Sequence, residues 1–148
     1  MNKTVFLCSI CNVSSGSCKE DCGFCTPSSK VQADIQRYKR KAKEQVLKEA
    51  HIAKNRGAIG FCLVTSGKEL DDVKLEYVAS LAKDIKNEIP SLMLIACCGI
   101  ADLERLKELK KAGVDSYNHN LESSKNHYQK IVSTINWEDR FQTCINTK

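Results

Sequence analysis

Short apolar segments alternate with longer amphipathic segments along the chain, and this order restricts the fold more than any other feature. Strand patterns occupy VFLCSI (5–10), AIGFCLVT (58–65), LMLIACC (92–98) and VDSYNHN (114–120). Alternation of strand and helix implies a parallel sheet with right-handed crossovers, and therefore an α/β fold of four βα units. Helical patterns follow the strands over 31–53, 70–85, 103–109 and 122–132, with a last amphipathic stretch over 136–146.

The number of units leaves two architectures open. Four βα units form a small doubly wound sheet or half of a (β/α)8 TIM-type barrel, and a complete barrel needs about 250 residues. The chain has 148 residues and stops within a helical pattern, FQTCINTK, without a turn or cap. We therefore expect 1–148 to be one incomplete domain, the N-terminal half of a barrel, and we expect the isolated chain to be inactive.

Charge and hydropathy exclude two classes of partner and indicate a compartment. The net charge is +5, and lysines are interleaved with acidic residues, so we expect no dedicated nucleic-acid surface. No apolar run approaches the 18 residues or so of a membrane span, and we expect a cytoplasmic protein. Cytoplasmic thiols stay reduced, so the odd number of nine cysteines favours metal binding or redox chemistry over disulfides.

Three of the cysteines, Cys18, Cys22 and Cys25, form a CxxxCxxC pattern directly after the first strand. That position is the carboxyl end of a strand, where the active sites of barrels are built. Three thiolates are one fewer than a structural zinc ion or an ordinary iron-sulfur cluster takes. A 4Fe-4S cluster bound by three cysteines leaves one iron free to bind a substrate group. The alternative for these cysteines is a zinc-binding interaction module that takes Cys8 or Cys11 as a further ligand.

With Phe24 before its third cysteine, the pattern resembles the cluster loop of the radical S-adenosylmethionine enzymes. The resemblance implies that the free iron binds the amino and carboxylate groups of S-adenosylmethionine. It also implies that electron transfer then cleaves this molecule to methionine and a 5'-deoxyadenosyl radical. Other members of that superfamily, which make or modify other cofactors, remain an alternative on this pattern alone.

Longer segments narrow the resemblance to the biotin synthase family. These segments are SGSCKEDCGFCTPSS, GFCLVTSG, AGVDSYNHNLESS and WEDRFQT, and they span essentially the whole chain. The resemblance implies a (β/α)8 barrel and a homodimer that inserts sulfur into dethiobiotin, the last step of biotin biosynthesis. It also implies a 4Fe-4S cluster, a 2Fe-2S cluster that donates the sulfur, S-adenosylmethionine, and an electron donor such as flavodoxin or ferredoxin.

The resemblance extends to ligands of the 2Fe-2S cluster. Cys62 matches the first cysteine ligand, and strand alternation places Phe61 and Leu63 on the opposite face. The second ligand position falls on Ile95, and Cys97 shares the strand face of Ile95, so we assign Cys97. We expect Cys98 to face the helices. By the same resemblance, the third cysteine and the arginine ligand lie beyond residue 148.

The YNHN segment supplies polar groups. Asn118 and Asn120 are two residues apart and would project from one strand face, with His119 on the other. By resemblance the two asparagines contact S-adenosylmethionine and the dethiobiotin ring; the alternative is a solvated polar strand end. We expect the His119 imidazole to face the helices with a hydrogen-bonded partner, and His51 and His127 to lie on the surface. No catalytic acid or base is assigned.

Overall fold

A computed structural model describes residues 5–16, 18–28 and 30–148. Strands and helices alternate within these residues, as the sequence predicts, and two helices follow the fourth strand. The elements are β1 (Cys8–Asn12), α1 (Lys43–Asn55), β2 (Gly60–Val64), α2 (Asp72–Glu88), β3 (Met93–Cys97), α3 (Leu103–Lys111), β4 (Ser116–Tyr117), α4 (Lys125–Ile131) and α5 (Trp137–Asn146).

The four strands form one parallel sheet in the order β1-β2-β3-β4. Cys8 pairs with Gly60, and Cys62 pairs with Ile95. Parallel strands joined by helices confirm the α/β prediction and bring the carboxyl ends of all four strands to one edge. No helix among the described residues is long and apolar enough to cross a membrane.

The two faces of the sheet differ in burial. Phe61, Leu63 and Leu94 are completely or almost completely buried with the apolar side chains of α1 and α2. The other face, which we call the inner face, carries Cys8, Ile10 and Asn12 from β1, and Ile10 is 69% exposed there. Burial of one face under helices provides the main stabilising free energy of the fold, and the inner face is left for other contacts.

The first helix begins later than its periodicity predicts. The prediction of a helix over 31–53 is wrong for residues 31–42, because α1 starts at Lys43. Tyr38 and Ser15 form an antiparallel bridge, with backbone N–H···O distances of 2.9 and 3.0 Å. The backbone N–H of Lys41 also donates to the Val13 carbonyl at 2.9 Å. Backbone groups that a helix would have paired internally are satisfied by the loop after β1 instead.

The end strands also differ from the prediction. The fourth strand is Ser116–Tyr117 and not 114–120, so Asn118 and Asn120 lie after it. One further ladder bond, from the Asn118 N–H to the Ala96 carbonyl at 2.8 Å, continues the pairing before the chain leaves the sheet. The first strand is displaced by about half its length to Cys8–Asn12. Strand boundaries in a polar sequence depend on the partner strand, which periodicity does not reveal.

Two glycines with positive φ provide a matched pair for a stability test. Gly99 has φ 86°, and a Cβ there would lie 2.4 Å from the Lys68 carbonyl oxygen; Gly57 has φ 85° and open space around it. We expect Gly57→Ala to lower the free energy of unfolding by about 1 kcal/mol through backbone strain alone, and Gly99→Ala by at least about 2 kcal/mol. Denaturant titration measures both, and equal losses would contradict the steric conflict at Gly99.

Candidate active site at the carboxyl ends of the strands

A cleft of about 590 Å³ lies at the carboxyl ends of the strands. Its walls combine the loop after β1, the ends of β2 and β3, and the segment after β4. Seven of the residues singled out from the sequence line this cleft: Cys18, Cys22, Phe24, Cys25, Cys97, His119 and Asn120. The fold therefore brings the CxxxCxxC loop, the YNHN segment and one inner-face cysteine to the same cavity.

The cysteine loop is anchored by Asp21, which is 6% exposed. Its carboxylate accepts hydrogen bonds from the backbone N–H groups of Ser133 and Thr134 at 2.8 and 3.2 Å, and Lys30 lies 2.8 Å away. Lys30 and then Ser133 hold the pKa of Asp21 well below its usual range. A second link, from the Gly23 N–H to the Ile131 carbonyl at 2.9 Å, joins the same two segments. The loop conformation thus depends on the turn after α4.

The three loop thiols lie close enough to influence one another. Cys22 is buried, and burial followed by the neighbouring Cys25 and Cys18 raises its pKa to about 11. Burial and then Cys18 also raise the pKa of Cys25. Cys22 and Cys25 are therefore protonated thiols at neutral pH, and a metal that binds them must displace protons.

The loop does not form a closed ligand set in this structure. Across residues 5–16, 18–28 and 30–148, no group of three or more His, Cys, Asp or Glu side chains is arranged to hold a metal ion. Cys18, Cys22 and Cys25 share the cleft wall, but their ligand role stays a prediction. What supports it is donor chemistry, since three thiols of one loop open onto a single cavity.

A cation in the cleft was not singled out from the sequence. Arg140 on α5 donates from Nε to the Asn120 carbonyl at 2.7 Å and forms an ion pair with Glu122 at 3.0 Å. Its guanidinium opposes the rise in the pKa of Cys22, Cys25 and Cys97. The WEDRFQT motif contains Arg140, but only the folded chain shows that α5 points it at the thiols.

Glu122 has an unusual backbone conformation and lines the cleft. Its φ of 65° lies in the left-handed region, which costs a non-glycine residue about 1–2 kcal/mol. The carboxylate lines the cleft and pairs with Arg140. Strain kept at a cleft residue is typical of positions that serve ligand binding.

His119 differs from its predicted environment. The imidazole lines the cleft, and its Nε2 is buried without a hydrogen-bond partner among the described residues. The predicted direction toward the helices is therefore wrong, and Nε2 lacks the predicted hydrogen-bond partner. Burial, and then the positive charge of Arg140, lowers the pKa of His119 to about 4. The ring is neutral at physiological pH. His51, which lies 2.7 Å from Glu88, and His127 are exposed, as expected.

The two inner-face cysteines assigned to the 2Fe-2S cluster lie at different distances from the cleft. Cys62 is 6% exposed and is absent from the cleft lining; burial, and then Cys97 and Cys8, raise its pKa to about 12. Cys97 lies one pleat beyond Ile95, the register partner of Cys62, and reaches the cleft wall. Burial is also the main cause of the raised pKa of Cys97. Cys98 is completely buried in the core against the helices, which confirms its predicted direction.

The two cysteines named for a zinc alternative lie away from the loop. Cys11 is buried on the helix side, where its Sγ donates to the Glu49 carboxylate at 3.0 Å. Cys8 lies on the inner face at the opposite end of β1 from the loop. Asn118 is exposed and is absent from the cleft lining, whereas Asn120 is part of it.

Comparison with known proteins agrees with this arrangement. Residues 12–148 match the radical SAM superfamily, the enzymes that use S-adenosylmethionine. The chain therefore belongs to the radical SAM superfamily, and membership implies a 4Fe-4S cluster and S-adenosylmethionine.

Curated relatives are more specific. The chain is 56% identical over 144 residues to biotin synthase of Campylobacter jejuni, covering 97% of this chain and 52% of the relative. It is 61% identical over 142 residues to biotin synthase of Helicobacter pylori, covering 96% and 50%. The chain thus spans about half the length of the curated relatives it matches.

Solved structures bear on the fold alone. A structure of HydG, a maturase of the FeFe hydrogenase, superimposes with TM-score 0.78 at 17% identity, covering 97% of this chain and 32% of the other. Methylornithine synthase (PylB) gives TM-score 0.79 at 20% identity, covering 97% and 41%. Matches to part of larger radical SAM barrels confirm the partial (β/α)8 barrel predicted from the sequence.

The buried Asp21 carboxylate provides a test of how the cysteine loop is held. We expect Asp21→Asn to lower the free energy of unfolding at pH 7, because the amide nitrogen that replaces Oδ2 can neither accept from the Ser133 hydroxyl nor pair with Lys30. Since the pKa of Asp21 is depressed, its contribution is complete above the ordinary Asp value of about 3.9 and declines as pH falls below it. Denaturant titrations should therefore show that the free energies of unfolding of the unsubstituted chain and of Asp21→Asn differ less at pH 3 than at pH 7.

The exposed Asp34 is the matched control for this substitution. Asp34→Asn removes the same charge without removing buried hydrogen bonds, so it should leave the free energy of unfolding at pH 7 nearly unchanged. Equal effects of the two substitutions would show that Asp21 does not anchor the loop.

Proposed function

We propose that this chain is the N-terminal half of a biotin synthase barrel, which with the remaining half converts dethiobiotin to biotin by inserting sulfur. The observation that carries the proposal is identity of 56–61% to biotin synthases over 96–97% of this chain. The shared cleft of Cys18, Cys22, Cys25, Asn120 and Arg140 supports it, because these residues are far apart in sequence.

In this proposal the loop thiols of Cys18, Cys22 and Cys25 hold the 4Fe-4S cluster. When bound there, the cluster supplies the electron that generates a 5'-deoxyadenosyl radical from S-adenosylmethionine. The loop can take a cluster because its backbone is fixed through Asp21 while its thiols face an open cavity. Binding releases thiol protons to solvent, so assembly is favoured by rising pH.

The other cleft residues bind and orient S-adenosylmethionine. Arg140 supplies a positive charge for a carboxylate, although it must share that charge with Glu122 at 3.0 Å. Glu122 accepts hydrogen bonds from hydroxyl groups, and the Asn120 amide both donates and accepts. The neutral His119 ring gives the cleft a polar wall that does not repel the positively charged sulfonium of S-adenosylmethionine.

Dethiobiotin and the sulfur source belong to the inner face below the cleft. We assign Cys62 and Cys97 as ligands of a 2Fe-2S cluster, and Asn118 and Asn120 as contacts to the substrate or S-adenosylmethionine. A third cysteine and an arginine would come from the other half of the barrel. An electron donor such as flavodoxin or ferredoxin and a homodimer complete the proposal.

A chimera tests the function directly. Residues 1–148 replace the corresponding half of the Helicobacter pylori biotin synthase, to which the chain is 61% identical over 142 residues. We expect the anaerobically reconstituted chimera to form biotin from dethiobiotin, S-adenosylmethionine and reductant, measured by mass spectrometry. A chimera with Cys22→Ala should form neither biotin nor 5'-deoxyadenosine.

The outcomes of the chimera separate the competing functions. Formation of 5'-deoxyadenosine without biotin would favour another radical reaction, and zinc uptake without iron would favour a zinc module. The isolated chain of 148 residues should form no biotin, because the proposal assigns essential ligands to the other half. Formation of biotin by the isolated chain would contradict the assignment of essential ligands to the other half.

Asn120 gives a test of substrate positioning in the same chimera. We expect Asn120→Ala to weaken binding of dethiobiotin or S-adenosylmethionine roughly tenfold, the loss of about one well-formed hydrogen bond to a ligand. Isothermal titration measures each affinity separately. Asn126→Ala, on the exposed face of α4, is the control and should change neither. If both variants bind dethiobiotin and S-adenosylmethionine with equal affinity, Asn120 contacts neither ligand.

A further inference from the structure

The segment before α1 carries a dense group of cations. Residues 37–43 read RYKRKAK, with five cations and no carboxylate, and the nearest acid before them is Asp34. Residues 35–41 are not helical and form a strap, which we call the basic strap. Backbone hydrogen bonds join Tyr38 to Ser15 and Lys41 to Val13, so the strap is fixed against the loop after β1.

The basic strap forms one wall of the cleft that contains the loop thiols. Ile35, Gln36 and Tyr38 line the cleft of about 590 Å³. Lys39 and Arg40 line a second cavity of about 460 Å³. The two cavities adjoin, because they share four lining residues: Ser14, Tyr38, Thr65 and Ser66. The cations of the strap therefore lie beside the cleft, on the side of the cysteine loop.

Arg37 lies directly against the cysteine loop. Gly16, two residues before Cys18, is buried and has φ 73°. A Cβ at Gly16 would lie 2.6 Å from the Arg37 Cγ and 3.2 Å from its Nη1. The absent side chain is therefore what allows the Arg37 side chain to cross the loop at this point. A guanidinium is thus held next to the first cysteine of the loop.

Two of the five cations are neutralised by carboxylates. Lys41 lies 2.8 Å from Glu49, and Lys43 lies 3.2 Å from Asp84. These two lysines stabilise the packing of the strap on α1 and α2, and their charges contribute little to a partner.

The other three cations, Arg37, Lys39 and Arg40, are exposed and form no ion pair with a carboxylate among the described residues. Arg40 is held in place by a hydrogen bond to the Val73 carbonyl at 3.2 Å and by the Tyr77 ring, 5.0 Å from its Cζ to the ring centroid. Neither contact neutralises its charge. Three unpaired positive charges therefore face solvent beside the cysteine loop.

We propose that the basic strap is the docking surface for the electron donor, and that this donor is a small electron-transfer protein with a carboxylate-rich face. Complexes between electron-transfer proteins have small, transient interfaces, so charge complementarity brings the partners together more than buried area does. One electron leaves the reduced donor and enters the cluster, and no atom is transferred. The inference rests on the proposed function, because it locates the donor beside the loop that is assigned to the cluster.

A nucleic acid fits this surface less well than an acidic protein does. Proteins that bind duplex DNA tightly contact about six or more phosphates, each neutralised by a cation. The basic strap offers Arg37, Lys39 and Arg40 over a short segment, with Asp34 at its start. A compact acidic face that approaches the cleft wall needs no longer row of cations.

Charge reversal in the reconstituted chimera tests the docking surface. The variant combines Arg37→Glu and Lys39→Glu, two residues outside the cleft lining of the described chain. With photochemically reduced flavodoxin below saturation, we expect 5'-deoxyadenosine to form roughly tenfold more slowly, because electrostatic steering is lost. Excess dithionite needs no docking surface and should give the variant the same rate as the unsubstituted chimera.

Two control variants separate local charge from other effects. Lys48→Glu combined with Lys110→Glu makes the same change in net charge at exposed positions of α1 and α3. Arg37→Lys combined with Lys39→Arg keeps the charge of the strap and changes only the shape of its side chains. Both controls should react with flavodoxin and with dithionite as the unsubstituted chimera does.

A binding measurement gives a second readout that is independent of turnover. Biolayer interferometry measures the affinity of oxidised flavodoxin for each chimera. We expect charge reversal to weaken this affinity roughly tenfold at about 0.05 M salt, and the difference to shrink at about 0.5 M salt, because salt screens exposed charges. The proposal is overturned if the charge-reversed variant and the Lys48/Lys110 control bind flavodoxin equally at low salt. It is also overturned if the unsubstituted chimera binds a duplex oligonucleotide but no flavodoxin.

The two reductants distinguish failure of this inference from failure of the proposed function. A chimera that forms no 5'-deoxyadenosine with dithionite would defeat the proposed function, and the flavodoxin affinities would still decide where the donor docks. A charge-reversed variant that is slow with both reductants but binds flavodoxin like the control would contradict docking at the basic strap.

Discussion

Parallel pairing of β2 with both of its neighbours determines which side chains reach the site. Gly60 and Cys62 face inward because Phe61 and Leu63 are buried under α1 and α2. A slip of one residue in this register would exchange the faces, placing the thiol in the core and Leu63 on the inner face. The free energy of burying the apolar face therefore also holds the thiol in place, and the same is true of Cys97 on β3.

The cysteine loop depends on contacts that are distant in sequence. Asp21 bonds to Ser133 and Thr134, which lie more than a hundred residues further along the chain. Arg140 reaches the Asn120 carbonyl from α5. Both links require the fourth βα unit to be packed against the first. The geometry of the cleft is thus a property of the four units together, and a shorter fragment that kept the CxxxCxxC motif would lose the anchor of its loop.

The central strands were predictable because they are apolar on both faces, a pattern typical of buried parallel strands. The periodic spacing over residues 31–42 was misleading, since the backbone of Tyr38 pairs with Ser15 and the N–H of Lys41 donates to Val13, both in the loop after β1. Tertiary hydrogen bonds overrode the local preference. The roles of Asp21 and Arg140 could not be predicted from spacing, because their partners become neighbours only when α4 and α5 pack.

The two groups of thiols differ in their electrostatic support. Arg140 opposes the rise in pKa at Cys22, Cys25 and Cys97, all of which line the cleft. At Cys62 burial is followed by Cys97 and Cys8, and all three raise the pKa, to about 12. Cys22, Cys25 and Cys97 therefore each have Arg140 as a cationic neighbour, whereas the groups among the described residues that shift the pKa of Cys62 include no cation. A metal bound at Cys62, as proposed, would have to displace the thiol proton without such support from the protein.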